Sequence, residues 1–200
     1  MNCYIIHYTK YKERLDNYRD VLIPKLKELG FIKDVRIISS YDREDPFIKS
    51  IGNTGLKTGE LSCSKKHFEA WRLFKESGDN LCMVLEDDLL IEEGVDFMGE
   101  FMNMYNNIKE NYNIITFGSG LQMHAKSKGF TGNKKGRCTD SYIISRRFLE
   151  YHEKENYLIP IGHYMNEIVS KNGDMWYWYE PTIFKQGSQN DYYKTDIRNY

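Results

Sequence analysis

The sequence predicts a single α/β domain spanning residues 1–200, and three observations carry that expectation. The chain has 200 residues, 40% of them apolar, which suits one hydrophobic core. Residues 2–38 read as strand, helix, strand, a βαβ unit whose crossover is right-handed. Leu81-Cys82-Met83-Val84-Leu85 is a short apolar run of the kind buried on both faces of a parallel sheet, and it runs directly into Glu86-Asp87-Asp88.

The elements follow in order. Asn2 to Tyr8 is the first strand, and the polar Thr9-Lys10-Tyr11-Lys12 leaves it. Leu15, Tyr18, Leu22, Leu26 and Leu29 share one helical face, Gly30 stops that helix, and Pro24 inside it predicts a kink or a split. Val35 to Ile38 is the second strand. Residues 43–58, with Pro46, Gly52 and Gly55, read as a long surface loop. A helix over residues 60–77 places Glu60, Ser64, His67 and Trp71 on one face. After the acidic turn, residues 95–111 are helical, with Phe97, Phe101, Met104 and Ile108 as core positions. Residues 112–117 are a strand, and the Gly- and Lys-rich residues 121–136 a mobile loop with a solvated basic face. Strand 139–145, helix 146–155, helix 161–172 behind Pro160, and the aromatic strand 175–179 complete the series.

Composition excludes some functions. A net charge of −1 lacks the basic footprint of a nucleic-acid binder. No apolar run is long enough to span a bilayer, and residues 1–8 lack the features of a secretory signal. Cys3, Cys63, Cys82 and Cys138 are widely spaced in apolar surroundings and read as reduced core cysteines, which predicts a cytoplasmic protein.

The acidic turn admits two readings. Three consecutive carboxylates cannot lie unpaired in a core, so they belong at the C-terminal edge of the sheet, where α/β folds bind ligands. Carboxylates there suit Mg²⁺ or Mn²⁺ with a substrate's phosphates. An acidic surface loop after a strand is the other reading.

Four stretches, in order, resemble glycosyltransferase family 25. Gly59-Glu60-Leu61-Ser62-Cys63-Ser64 with His67 and Trp71 is similar to that family's GE-x-x-C-x-x-S-H-x-x-x-W signature, and Met83 to Leu89 to its LEDD strand end. Thr139 to Arg146 resembles its T-x-x-Y-x-I-S-R strand, and Glu180-Pro181 followed by Gln186-Gly187-Ser188 its C-terminal segment, so the likeness spans residues 3–198. Lys66 stands where the family generally has serine.

The resemblance implies a GT-A fold: one Rossmann-like domain with a mixed, mostly parallel central sheet flanked by helices. It implies a UDP-sugar donor, Mn²⁺ or Mg²⁺, and inverting transfer of a hexose to a glycan, glycoprotein or hydroxylysine-type acceptor. The acidic turn then corresponds to a DxD motif, with Glu86 and Asp88 as metal ligands and Asp87 beside them at the donor site. Tyr8, Thr9, Lys10 and Arg14 at the first strand's exit, with Asp42 after the second, are candidates for the nucleotide. His67, Gln186 and Ser188 are candidates for the donor and its diphosphate. Where the family often carries an acid in a P-x-D segment, this chain has Pro160-Ile161-Gly162, which leaves the general base open between Asp140 and His163. The same glycine motivates the alternative of a non-catalytic relative that binds sugar or protein.

Overall fold

The computed structural model describes residues 1–152 and 154–193. The expected likeness beyond residue 193, and Glu153 within the expected helix 146–155, lie outside that range.

Seven strands form one sheet in the order β2-β1-β3-β7-β5-β8-β6. They are β1 (Asn2–Ile6), β2 (Asp34–Ile38), β3 (Leu81–Glu86), β5 (Ile114–Thr116), β6 (Gly129–Asn133), β7 (Ser141–Ser145) and β8 (Trp176–Glu180). β1 pairs parallel with both β2 and β3, and β5 pairs parallel with β8. β7 runs antiparallel between β3 and β5, and β6 antiparallel along β8. All strands of this sheet but β7 and β6 therefore point the same way, giving the mixed, mostly parallel sheet that the resemblance implies. Two further strands, β4 (Leu89–Ile91) and β9 (Phe184–Gln186), pair with each other outside this sheet.

Alternation within the strands divides the core. Cys3, Ile5, Met83, Leu85 and Ile143 face one apolar cluster, shared with Leu22, Leu26 and Phe101. Tyr4, Ile6, Cys82, Val84, Tyr142 and Ile144 face the other, shared with Phe68, Trp71 and Met165. A sheet covered on both sides has no solvent face, and this is why its central strands read as unbroken apolar runs.

The helices are α1 (Lys12–Asn17), α2 (Ile23–Glu28), α3 (Pro46–Ser50), α4 (Thr58–Ser77), α5 (Phe97–Asn106), α6 (Arg146–Glu150) and α7 (Ile161–Lys171). The split expected at Pro24 is real and takes a specific form. One π turn, Tyr18–Leu22, separates α1 from α2, and Ile23 N–H donates to the Tyr18 carbonyl. Pro24 has no N–H to continue an α ladder, and widening the turn just before it accommodates that gap. α4 opens with Glu60 accepting from Lys57 N–H at 2.8 Å and closes at Gly78, whose φ of 75° suits a left-handed cap.

Four expectations need correction. The helix expected over 146–155 ends at Glu150, with Tyr151 as its C-cap. The loop 43–58 contains α3, capped by Asp45 and started by Pro46, an N-terminal signal that the glycines around it obscured. The loop 121–136 contains the edge strand β6, whose pairing with β8 outweighs its glycines. Helix 95–111 is shorter than its apolar spacing suggests, because Asn107 ends it and Tyr112 packs against Tyr177 instead. All four cysteines are free, and no described helix is long and apolar enough to cross a membrane.

Candidate active site

The C-terminal ends of β1 and β3, the first turns of α1 and α4, and the segment after β9 enclose a cavity of about 440 Å³. The acidic turn lies in its wall, and its three carboxylates have three different environments.

Asp87 is committed to the protein. Its Oδ2 meets His7 Nδ1 at 2.7 Å and accepts from Tyr8 N–H at 2.9 Å, while Oδ1 accepts from Arg14 Nη1 at 2.8 Å. Burial alone would push this carboxyl up, but the bonds to His7 and Tyr8 and the Arg14 charge hold it below the usual aspartate range. Asp88 is the opposite case. Its Oδ2 accepts from Ser188 Oγ, and its buried Oδ1 has no hydrogen-bond partner. Burial, reinforced by the Glu86 charge, raises its carboxyl to about 7. Glu86 is half-buried; its Oε1 accepts from Thr139 Oγ1 at 3.0 Å and lies 3.5 Å from His67 Nε2.

Asp88 and Glu86 fit a hard divalent cation. Asp88 lines the cavity with a buried oxygen that has no hydrogen-bond partner, and Glu86 is the second carboxylate of the same turn.

The other sequence candidates divide cleanly. Tyr8, Arg14, Gln186 and Ser188 line the cavity. Tyr8 Oη donates to Glu44 Oε1 at 2.8 Å, and the Arg14 guanidinium stacks 3.9 Å from the Tyr11 ring. Thr9, Lys10, Asp42 and His67 do not line it. Both Asp42 oxygens are taken: Oδ1 by Lys66 Nζ at 2.5 Å, Oδ2 by Thr9 through its N–H at 3.3 Å and its hydroxyl. Lys10 is exposed and paired with Glu44 at 2.5 Å. His67 is fully buried behind the wall, held by Tyr142 Oη at 2.8 Å from Nδ1. Trp71 packs, as expected, and donates to the same Oη at 3.0 Å.

Neither candidate base lines the cavity. His163 is exposed on the first turn of α7, one residue beyond Gly162, which does line it. Asp140 is buried behind Glu86, and neither of its oxygens has a hydrogen-bond partner. Gly118 makes room for it, since a Cβ there would stand 2.0 Å from Asp140 Oδ2. Burial and the charges of Glu86 and Asp88 raise the Asp140 carboxyl to about 8.

That shift gives a stability prediction. Asp140 keeps its proton in the folded chain and loses it near pH 3.8 when unfolded, so stability falls as pH rises from about 4 to about 8. Asp140→Asn removes the ionisation. We expect no difference from wild type at the acid end and a gain of ~1–3 kcal/mol above pH 8 in denaturant melts. Equal stability of the two proteins at alkaline pH would contradict this.

Two residues of the site were not among the candidates read from the sequence. Lys66 is 2% exposed, lines the cavity, and donates to the His7 carbonyl and to Asp42 Oδ1, each at 2.5 Å. Its signal was spacing: Gly59, Ser62, Cys63 and Lys66 fall at helical intervals and form the stripe of α4 that faces the cavity. His7 is the other, hidden as one more residue of a buried strand. Gly187 also contributes to the site's packing. A Cβ there would lie 2.9 Å from the Asp88 carbonyl and 2.6 Å from Tyr193, so it serves close packing of the chain on the acidic turn.

The sequence matches the profile of glycosyltransferase family 25, described as an LPS biosynthesis protein, over residues 1–169. No curated protein matched. Solved structures to which the chain is similar include a glycosyltransferase involved in glycosylation of the major capsid of PBCV-1, at 10% identity and a TM-score of 0.45. That match covers 74% of this chain and 61% of that one, so the present chain spans less than two thirds of it. Protein A197 from STIV is similar at 15% identity and a TM-score of 0.49, covering 88% and 80% of the two chains. UDP-glucose pyrophosphorylase complexed with UDP-glucose is similar at 12% identity and a TM-score of 0.45, covering 96% and 95%. These likenesses are distant, whereas the family profile spans most of the sequence and includes the α4 stripe, the acidic turn and β7. The chain belongs to glycosyltransferase family 25.

Proposed function

We propose that this chain is a divalent-cation-dependent transferase that moves a hexose from a UDP-sugar to a hydroxyl of a glycan or glycoprotein acceptor, with inversion at the anomeric carbon. One observation carries the reading: the buried, unpartnered Oδ1 of Asp88 in the cavity wall, with Glu86 beside it. Those two residues would hold Mn²⁺ or Mg²⁺, whose charge would offset that of a diphosphate leaving group.

The chain's own groups divide the remaining work. Ser188 donates to Asp88 Oδ2 and leaves Oδ1 as the oxygen without a hydrogen-bond partner. His7, Tyr8 N–H and Arg14 hold Asp87 and thereby the backbone of the turn. The Tyr8 and Tyr11 rings, 5.2 Å apart edge to face, offer an aromatic wall to a nucleotide base. Gln186, beside Ser188, offers an amide to the donor. On the acceptor side, His163 is the better base of the two candidates, being exposed next to Gly162. Asp140, buried and protonated at neutral pH, is better read as shaping the floor behind Glu86.

Calorimetric titration with UDP, with and without Mn²⁺, tests the reading. Binding that requires the cation supports it, and the absence of cation-dependent binding overturns it. The alternative, a non-catalytic binding domain, keeps its motivation in Gly162. Cation-dependent hydrolysis of any UDP-hexose would exclude it.

A further inference from the structure

α4 carries Cys63 and His67 four residues apart, so both point from the same helix face. Opposite them β3 ends at Glu86. The Cys63 sulfur, a His67 ring nitrogen and a Glu86 carboxylate oxygen all lie within 4.8 Å of one another. His67 is 0% exposed, yet its Nε2 has no hydrogen-bond partner and stands 3.5 Å from Glu86 Oε1. A buried ring nitrogen left this way costs free energy unless something fills its coordination.

The other side of the imidazole is anchored. Nδ1 lies 2.8 Å from Tyr142 Oη, the oxygen that also accepts from Trp71 Nε1. In the tautomer whose Nδ1–H donates to Tyr142, Nε2 is left with its lone pair on the side of Glu86. An outer hydrogen bond of this kind is how proteins usually fix the tautomer of a ligating histidine. Cys63 lines the cavity, which gives an ion a route in and leaves a coordination position open to solvent.

We propose that Cys63, His67 and Glu86 form a zinc-binding site in the wall of the cavity. Thiolate and imidazole are ligands that Zn²⁺ favours, whereas Mg²⁺ and Mn²⁺ prefer the all-oxygen pair of Asp88 and Glu86. Three protein ligands with one open position describe an accessible zinc site rather than a closed structural one. Loading forms one bond each to sulfur, nitrogen and oxygen, and the Cys63 thiol proton passes to solvent. The proposal does not rest on the donor chemistry above, but it shares Glu86 with the cation pair proposed there, so zinc would also be an antagonist of the cation at Asp88.

Cobalt provides the test, because Co²⁺ replaces Zn²⁺ and reports a thiolate ligand by charge-transfer absorption. The reduced full chain is titrated with Co²⁺ and then with Zn²⁺. We expect one equivalent of Co²⁺ to give a thiolate band that Zn²⁺ abolishes. Cys63→Ser should lose the band and weaken Zn²⁺ binding by at least ~10–100-fold against a chromophoric chelator. His67→Gln should weaken it comparably, and if that buried variant does not fold, Cys63→Ser alone decides. Asp88→Asn should keep the band, and a wild-type chain that shows the band without cation-dependent UDP binding is a failure of the donor reading only. A wild-type chain without a thiolate band, or a band undiminished in Cys63→Ser, overturns the site.

Discussion

Asp88→Asn should lower UDP-hexose turnover by ~100–1,000-fold or more while leaving the protein folded. Asparagine keeps an oxygen for Ser188 and removes only the charge, so the packing of the acidic turn persists. What disappears is the anionic oxygen for the cation. The wild-type carboxyl is raised by burial and by Glu86, so a cation must displace a proton from it. Cation-dependent UDP binding should therefore strengthen as pH rises through neutrality in the wild type, and Asp88→Asn should lack that rise. Initial rates of UDP release and calorimetry across a pH series check both points. A variant with wild-type rates would remove Asp88 from the chemistry.

Asp87→Ala should act on the fold instead. It removes the acceptor shared by His7, Tyr8 N–H and Arg14, and deleting one member of a buried ion pair costs ~3–5 kcal/mol. For a chain of this size that is a fall in melting temperature of ~6–20 °C. The pH dependence has a defined sign. The folded Asp87 carboxyl lies below the ordinary 3.8, so its contribution is complete above that pH and is lost as pH falls through the folded value. The melting difference between wild type and Asp87→Ala should thus shrink in acid. Asp140 acts in the opposite direction, so the two adjacent aspartate environments bracket the protein's stability from both ends of the scale. An Asp87→Ala chain as stable as wild type at neutral pH would contradict the account.

The contrast among these aspartates shows what the letters of a sequence carry. β1, β3 and β7 were legible because strands covered on both faces must be apolar throughout. α4 and α7 were legible from their period, and the acidic turn from the cost of burying charge. β4, β6 and β9 were not, since three residues or a pair of glycines become a strand only through partners elsewhere in the chain. Lys66 was legible only as a departure from the family's serine; that it meets Asp42 and the His7 carbonyl depends on packing of distant segments. Asp140 was a candidate base only as an acid near the Gly162 position that lacks one, yet in the fold Gly118 closes over it. Side-chain type names a chemistry; distant packing decides whether solvent can use it.

The hydroxyl of Ser188 reaching back to Asp88 has a consequence in time. Exactly one hundred residues of sequence separate them would be a remark about distance alone; the order of synthesis makes it more. A ribosome delivers β1, the acidic turn and α4 long before β9 and residues 186–189. During that interval the growing chain carries its carboxylate turn with no β9 beside β4 and no Ser188 on Asp88. On the proposed function, donor capture would wait for Ser188 to emerge, because until then the Asp88 carboxylate lacks its hydrogen-bond donor.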